Sequence, residues 1–166
     1  SPSSSVAKIK SLEIWKSKKK QAHSGECIGL TLDNEIFVEK GNIISMEQSP
    51  PKLVNNFEAN IFWLGDEPLE IGKNYLIKIT SAEYKVKIES IDKIINTDDL
   101  SHKINKKVLK NEVAEVTFYS HLIIPVDDFS ENAATARFSI IDNFNVVGGG
   151  IINSKNYPDQ RAKNLK

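Results

Sequence analysis

The chain has 166 residues, of which 40% are hydrophobic and 27% are charged, which is the composition of an ordinary globular domain. Its 22 lysines and arginines balance its 22 aspartates and glutamates, and this argues against a dedicated nucleic-acid binder, because such domains are usually basic. A single cysteine excludes an internal disulfide, and no apolar run approaches the roughly 20 residues of a membrane-spanning helix. Since a signal-peptide hydrophobic region is also missing, we expect a cytoplasmic protein without a membrane segment.

The first part of the chain shows short strand patterns separated by polar turns. Residues 6–15 alternate between apolar and polar, and a shift of parity near residues 10–11 predicts a β-bulge. We expect further strands over residues 27–32 and 42–46. The lysine-rich residues 16–20 are too charged to be buried and predict a solvated hairpin tip.

The clearest linker signal is Ser49-Pro50-Pro51, because two prolines stiffen the chain and cannot continue a β-ladder. We therefore predict a domain boundary there. The predicted parts are residues 1–49, residues 50–153 and a polar tail over residues 154–166.

Alternating strands with turn residues between them follow the boundary, over residues 57–64, 75–80, 84–95 and 113–125. Both faces of the first of these strands carry apolar residues, so we expect it to be covered on both sides. The segment 98–110 is the only candidate helix. Short strands at this spacing indicate an all-β barrel or sandwich.

The last two strands, over residues 137–141 and 146–152, read as a hairpin with turn residues between them. Three glycines at 148–150 would weaken the second strand unless the barrel wall bends there or another backbone comes very close. The alternation also predicts that Phe118 and Phe138 are buried in the core.

Residues 127–138 read D-D-F-S-E-N-A-A-T-A-R-F and resemble a phrase in the GTPase subunits of bacterial sulfate adenylyltransferases. These subunits, including forms fused to adenylylsulfate kinase, belong to the elongation factor Tu superfamily. Their usual wording is close to D-N-P-A-T-G-R-F, whereas this chain has Ala133 in place of the proline and Ala136 in place of the glycine. The runs 25–32 and 36–44 resemble a second phrase, close to A-G-E-S-I-G-L-T-L-x-D-E-I-F-V-x-R-G, in the middle barrel of the same family.

The resemblance implies an all-β fold: an elongation factor Tu-like C-terminal β-barrel preceded by the second half of the middle barrel. It also implies a non-catalytic part of a subunit that hydrolyses GTP, while a separate adenylyltransferase subunit makes adenosine 5′-phosphosulfate from ATP and sulfate. The barrels would dock that subunit and couple it to the GTPase. GTP and magnesium would bind a GTPase domain outside this chain, which has neither G-x-x-x-x-G-K-[ST] nor N-K-x-D.

We expect no catalytic, cofactor-binding or metal-binding residues in the chain itself. The histidines His23, His102 and His121 are far apart and have no cysteine or carboxylate at ligand spacing. Cys27 is expected to be a small buried or half-buried side chain rather than a nucleophile.

The candidates for a structural or partner-contact role are Asp127, Asp128, Asn132, Thr135 and Arg137. Adjacent aspartates in extended chain point to opposite sides, so the two are poorly placed to share a proton. We expect one of them, preferably Asp128, to hydrogen-bond the loop or to pair with Arg137. Arg137 either holds the preceding loop or contacts a partner subunit.

Two other functions stay open at this point. One is a translation elongation factor barrel that binds tRNA or the ribosome, although the zero net charge and the E-N-A-A-T-A-R-F loop count against it. The other is a free-standing interaction barrel. If residues 6–46 are half of a barrel, their apolar face lacks partners, and we expect this segment to pair between chains.

Overall fold

A computed structural model describes residues 1–3, 5–15, 20–97, 101–103 and 105–161. These residues form eleven β-strands and no α-helix, so none of them builds a helix with the length and hydrophobicity of a membrane span. The chain divides into two compact units, one of residues 3–39 and one of residues 1–2 with 40–166.

The smaller unit contains one antiparallel pair, β1 (Ile9–Glu13) and β2 (Gly29–Leu32). The register shifts between Ile9 and Ser11, which confirms the predicted bulge. None of the described side chains in residues 3–39 is buried. This unit therefore has a folded strand pair without a core of its own among the described residues. Residues 16–19 of the predicted lysine-rich tip lie outside them.

The strand predicted over residues 42–46 is not formed, so that prediction is wrong. This segment is irregular, and the Ile43 N–H donates to the Ser1 carbonyl at 3.1 Å rather than to a strand partner. Residues 40–49 group with the barrel, so the compact units divide between residues 39 and 40. The predicted domain boundary at residue 49 stays a prediction.

The larger unit is built around a closed antiparallel barrel. Its strands in chain order are β3 (Lys52–Trp63), β4 (Leu69–Glu70), β5 (Asn74–Ile79), β6 (Ala82–Ile95), β7 (His102–Lys103), β8 (Lys107–Val108), β9 (Val113–Val126), β10 (Arg137–Asp142) and β11 (Asn145–Asn153). Six of them form a ring in the order β3, β9, β6, β5, β10, β11, and β11 pairs back onto β3. The prediction of an all-β fold with a C-terminal barrel is confirmed. Closure leaves these six strands without an open edge.

The helix predicted over residues 98–110 is wrong within the described residues. The described part of this segment instead contains the short strands β7 and β8, which pair with β6 and β4 respectively. Val108 lies opposite Leu69, and both side chains are fully buried. Burial of this cross-strand pair outweighs the weak helix-start signal. Residues 98–100 and 104 lie outside the described residues.

Three phenylalanines meet at the centre of the barrel. The ring centroids of Phe57 and Phe118 are 5.3 Å apart, and the Phe138 ring stands edge-on to both, at 6.2 Å and 5.5 Å. Phe118 is 0% exposed and Phe138 is 5% exposed, which confirms their predicted burial. Each ring removes a large apolar area from water, and the edge-on geometry adds a favourable electrostatic contact.

The outer face of β3 is open at Asn60 and Phe62, so the expectation that the strand predicted over residues 57–64 is covered on both sides is wrong. Phe62 is 39% exposed and Leu64, just beyond the strand, is 45% exposed. An antiparallel barrel wall buries only its inner face against the core, and an apolar residue on the outer face does not by itself imply a cover.

The first residues of the predicted polar tail, 154–161, pack on the barrel. Ser154 is buried, the Gln160 N–H donates to the Leu53 carbonyl at 2.8 Å, and Arg161 Nη2 donates to the Pro51 carbonyl at 2.6 Å. Residues 154–161 therefore extend the folded unit, and residues 162–166 lie outside the described residues.

Gly148 and Gly150 of β11 lie where the backbone of β3 comes very close, which is one of the two explanations that the sequence left open for the three glycines. A Cβ atom added to Gly150 would lie 2.6 Å from the Asn60 carbonyl oxygen and 2.8 Å from Phe138 Cζ. At Gly148 it would lie 2.8 Å from the Phe62 carbonyl oxygen. At Gly149 the nearest atom would be the Phe138 carbonyl oxygen at 3.2 Å. Only glycine lets the two strands reach this separation at 148 and 150.

We expect Gly150→Ala to destabilise the barrel by roughly 1–3 kcal/mol, because the new methyl group would overpack the closing seam. Gly149→Ala is the matched control and should cost clearly less, since its methyl group meets only one close atom. Urea unfolding followed by tryptophan fluorescence measures both. Equal losses would contradict this account of the seam.

Candidate functional site

The loop between β9 and β10, residues 127–136, contains most of the residues that the sequence singled out. Its two ends are fixed to β11, because the Phe129 N–H donates to the Ile152 carbonyl at 3.0 Å and the Ile152 N–H donates to the Ala136 carbonyl at 2.8 Å. Within the loop, the Asn132 N–H donates to the Asp128 carbonyl at 2.9 Å. The loop is therefore an ordered part of the barrel wall.

Asp128 is a buried carboxylate that connects this loop to the end of β11. One of its oxygens accepts from the backbone N–H of Ser130 at 3.0 Å and from the Ser130 hydroxyl at 2.6 Å. The other oxygen accepts from the Ser154 N–H at 3.0 Å. Both oxygens thus have partners, which is what a buried ionised carboxylate requires.

The same contacts set the protonation state of Asp128. Burial by itself raises the pKa of a carboxyl group, but the hydrogen bonds from Ser130 and Ser154, assisted by the Lys155 ammonium, outweigh burial and hold the pKa of Asp128 below its ordinary value. Asp128 is therefore a carboxylate at neutral pH. It is suited to holding structure rather than to exchanging protons.

Asp127 has a separate set of partners. Its carboxylate accepts a short hydrogen bond from the Thr135 hydroxyl and another from Asn132 Nδ2 at 3.3 Å. The two aspartates therefore serve different parts of the loop and do not form a pair that shares a proton. Asp127, Asn132 and Thr135 together hold the loop's outer turn.

Arg137 lies at the start of β10 and contacts an aromatic ring rather than a carboxylate. Its guanidinium carbon is 5.2 Å from the centroid of the Phe129 ring, within the range of a cation–π contact. Among the described residues, neither Asp127 nor Asp128 forms an ion pair with it. The Arg137 side chain borders an open cavity of about 610 Å³ on the barrel wall, which Lys78 and Ser139 also line.

The remaining candidates do not assemble into a reactive site. Cys27 is exposed, so the prediction that it is buried or half-buried is wrong. The His121 ring contacts the Tyr119 hydroxyl at 3.2 Å, and His23 lies in the other compact unit. In the described ranges, no cluster of three or more histidine, cysteine, aspartate or glutamate residues is placed to hold a metal ion.

The closed six-stranded antiparallel barrel is the architecture that the resemblance to elongation factor Tu-like C-terminal domains predicted. Residues 56–153 match the family described as GTP-eEF1A C-terminal domain-like, and the chain belongs to this family. The resemblance to the elongation factor Tu superfamily that the sequence suggested is thereby confirmed.

Curated relatives extend the match beyond the barrel. Sulfate adenylyltransferase subunit 1 of Aliarcobacter butzleri is 30% identical over 167 residues, covering 98% of this chain and 35% of that protein. The bifunctional enzyme NodQ of Rhizobium sp. (strain N33) is 29% identical over 134 residues, covering 80% of this chain and 21% of that protein. The chain thus spans about a third or less of the length of these relatives.

A solved structure of Sup35 complexed with GDP shares the fold. It superposes with a TM-score of 0.79 at 15% sequence identity and covers 89% of this chain and 37% of that chain. At this identity the likeness concerns architecture alone.

Asp128→Asn should cost roughly 1–3 kcal/mol at pH 7, because a neutral amide supports the Ser130 and Ser154 donors less well. The pKa of Asp128 is lowered in the folded state, so its contribution is complete above the unfolded pKa of about 3.9 and is lost as pH falls through the folded pKa. The difference between wild type and Asp128→Asn should therefore be constant near neutral pH and shrink as the pH falls below about 4.

Urea titrations at several pH values test this expectation. Glu131→Gln, an exposed carboxylate on the same loop, is the control and should leave the free energy of unfolding nearly unchanged. A pH-independent difference for Asp128→Asn would refute the proposed role of its charge.

Proposed function

We propose that this chain is the barrel region of the GTPase subunit of a sulfate adenylyltransferase. The observation that carries the proposal is the extent of the alignments with subunit 1 proteins. Those from Shewanella woodyi and Aliarcobacter butzleri cover 91% and 98% of the chain, and so reach well outside the matched family region of residues 56–153. The likeness therefore includes the segment before the barrel.

In this proposal the chain is a docking and coupling element in the cytoplasm and has no catalytic activity itself. GTP and magnesium bind a GTPase domain elsewhere in the parent protein, and a separate adenylyltransferase subunit carries out the transfer of the adenylyl group from ATP to sulfate. An ordered barrel suits this role, because a rigid wall presents its surface residues to a partner without an ordering cost.

Arg137 is the loop residue that we assign to contact with a partner. The carboxylates of Asp127 and Asp128 are already occupied by the loop itself, whereas the Arg137 side chain is exposed beside an open cavity. Its stacking on Phe129 restrains the guanidinium group before a partner arrives, which lowers the entropy lost on binding.

A translation elongation factor barrel that binds tRNA or the ribosome is the second function considered. The chain has zero net charge, and its likeness to Sup35 is one of fold at 15% identity. Neither observation favours RNA as the partner over a protein subunit.

The test is to titrate the chain with the purified adenylyltransferase subunit of the same organism, and in parallel with tRNA, by calorimetry at two salt concentrations. We expect saturable one-to-one binding to the subunit, weakened by Arg137→Ala, and no saturable binding to tRNA. Leu122→Ala, an exposed residue on β9, is the control for Arg137→Ala. Binding of tRNA that falls steeply with salt, without binding of the subunit, would support the elongation factor function instead.

We also propose that chains associate through residues 3–39. Leu12 and Leu30 lie opposite each other in the β1–β2 pair, and this two-stranded sheet has no third strand among the described residues. A second copy would cover the apolar face and pair the open edge at the same time.

Light scattering across a concentration series up to tens of micromolar tests the association. We expect the mass to rise towards that of a dimer, and Leu30→Lys to keep the chain monomeric because a charge cannot be buried at the interface. Leu122→Lys on the barrel should leave the mass unchanged. A wild-type chain that stays monomeric throughout would contradict the proposal.

A further inference from the structure

The turn between β10 and β11 carries a phenylalanine that neither packing nor backbone preference explains. Asn143 and Phe144 form the turn, with φ angles of +46° and +67°. Left-handed backbone of this kind favours glycine or asparagine and is rare for a bulky residue. The Phe144 side chain is 103% exposed, so it gains nothing from burial either. An unfavourable residue at the apex of a turn points to a role outside folding.

Other exposed apolar residues lie on the strands next to this turn. Val146 on β11 is 62% exposed, and Leu64 donates its N–H to the Val147 carbonyl at 2.8 Å, which places it beside β11. Phe62 on β3 lies directly opposite Gly149. We call Phe62, Leu64, Phe144 and Val146 the apolar tip. Neighbouring exposed apolar side chains of this kind are typical of interaction surfaces.

A small cleft of about 160 Å³ opens next to the apolar tip. Asn143 and Asn145, the two neighbours of Phe144 in sequence, both line it. Three further lining residues carry carboxylates, namely Asp66, Glu67 and Asp142. None of the described lining residues carries a positive charge.

Two of these carboxylates already have lysine partners. Lys73 Nζ lies 3.0 Å from Asp142, and Lys110 Nζ lies 2.6 Å from Asp66, which lowers the pKa of Asp66. The exposed Glu67 carboxylate forms no ion pair with a described residue. The cleft therefore keeps one acidic group to attract a positive charge.

We infer that the apolar tip and the acidic cleft form one docking surface for a protein partner. The partner presents an apolar pocket that receives the Phe144 ring, next to an arginine or lysine side chain that enters the cleft towards Glu67. A rigid aromatic anchor surrounded by polar groups is the usual composition of an interface hot spot. The adjoining charge complementarity sets the orientation and speeds association.

The negative charge of the cleft also disfavours nucleic acid, an anionic lipid surface and a second copy of this chain as the binding partner. A nucleic-acid backbone or an anionic lipid surface would bring negative charge against Glu67, whose carboxylate has no lysine partner among the described residues. A second copy of this surface, related by two-fold symmetry, would present the same acidic cleft, and none of the described residues lining that cleft carries a positive charge for Glu67. A protein surface that is both basic and apolar matches the acidic cleft and the apolar tip.

This inference rests on the proposed function for the identity of the partner, which is the adenylyltransferase subunit. The experiment measures binding of that subunit to the full chain and to variants by biolayer interferometry. We expect Phe144→Ala and Glu67→Lys each to weaken binding about tenfold or more, and Glu67→Lys to slow association as well. Leu122→Ala and Glu83→Gln, exposed residues elsewhere on the barrel, are the matched controls and should bind within about twofold of wild type.

Phe144→Gly separates docking from folding. Glycine suits the left-handed turn, so this variant should unfold at the same temperature as wild type or at a higher one, and still bind as weakly as Phe144→Ala. If wild type binds the subunit and both Phe144 variants bind equally well, the docking surface is wrong while the proposed function stands. If the wild-type chain does not bind the subunit at all, the docking surface and the proposed function are both wrong.

Discussion

The closing seam between β11 and β3 is the constraint on which the rest of the barrel depends. The two backbones come so close that a methyl group at Gly148 or Gly150 would collide with the carbonyl oxygens of β3. This approach brings the last strand of the chain onto the first strand of the barrel, so that no edge stays open and the three central phenylalanine rings are enclosed.

The loop before β10 depends on the same seam. Ile152 of β11 exchanges hydrogen bonds with both ends of the loop, and Asp128 reaches Ser154 just past the end of that strand. A buried carboxylate with all its donors in place is stable only if those donors are held still. The loop that resembles the sulfate adenylyltransferase family is therefore a structural extension of the closed sheet. Arg137, which follows the loop, is the residue that we propose contacts a partner.

The barrel also leaves two surfaces with different chemistry at opposite ends of β10. Arg137 stands at the beginning of the strand beside Lys78, while Phe144 follows its end beside a cleft of carboxylates. These two surfaces are the ones on which the proposed docking function rests.

The sequence alone determined the all-β class, most barrel strands and the bulge in β1, because period-2 alternation is a local property of the chain. The superfamily followed from the resemblance of residues 127–138 and of the runs 25–32 and 36–44 to known family motifs. For the three glycines the sequence left open whether the barrel wall bends or another backbone comes close. It did not determine the secondary structure of residues 98–110, where burial of Val108 against Leu69 favours a strand over a helix. Nor did it show that Asp128 bonds Ser154, or that Phe144 stands exposed beside Asp66 and Glu67. These are contacts between distant parts of the chain, and only the closed tertiary structure brings them together.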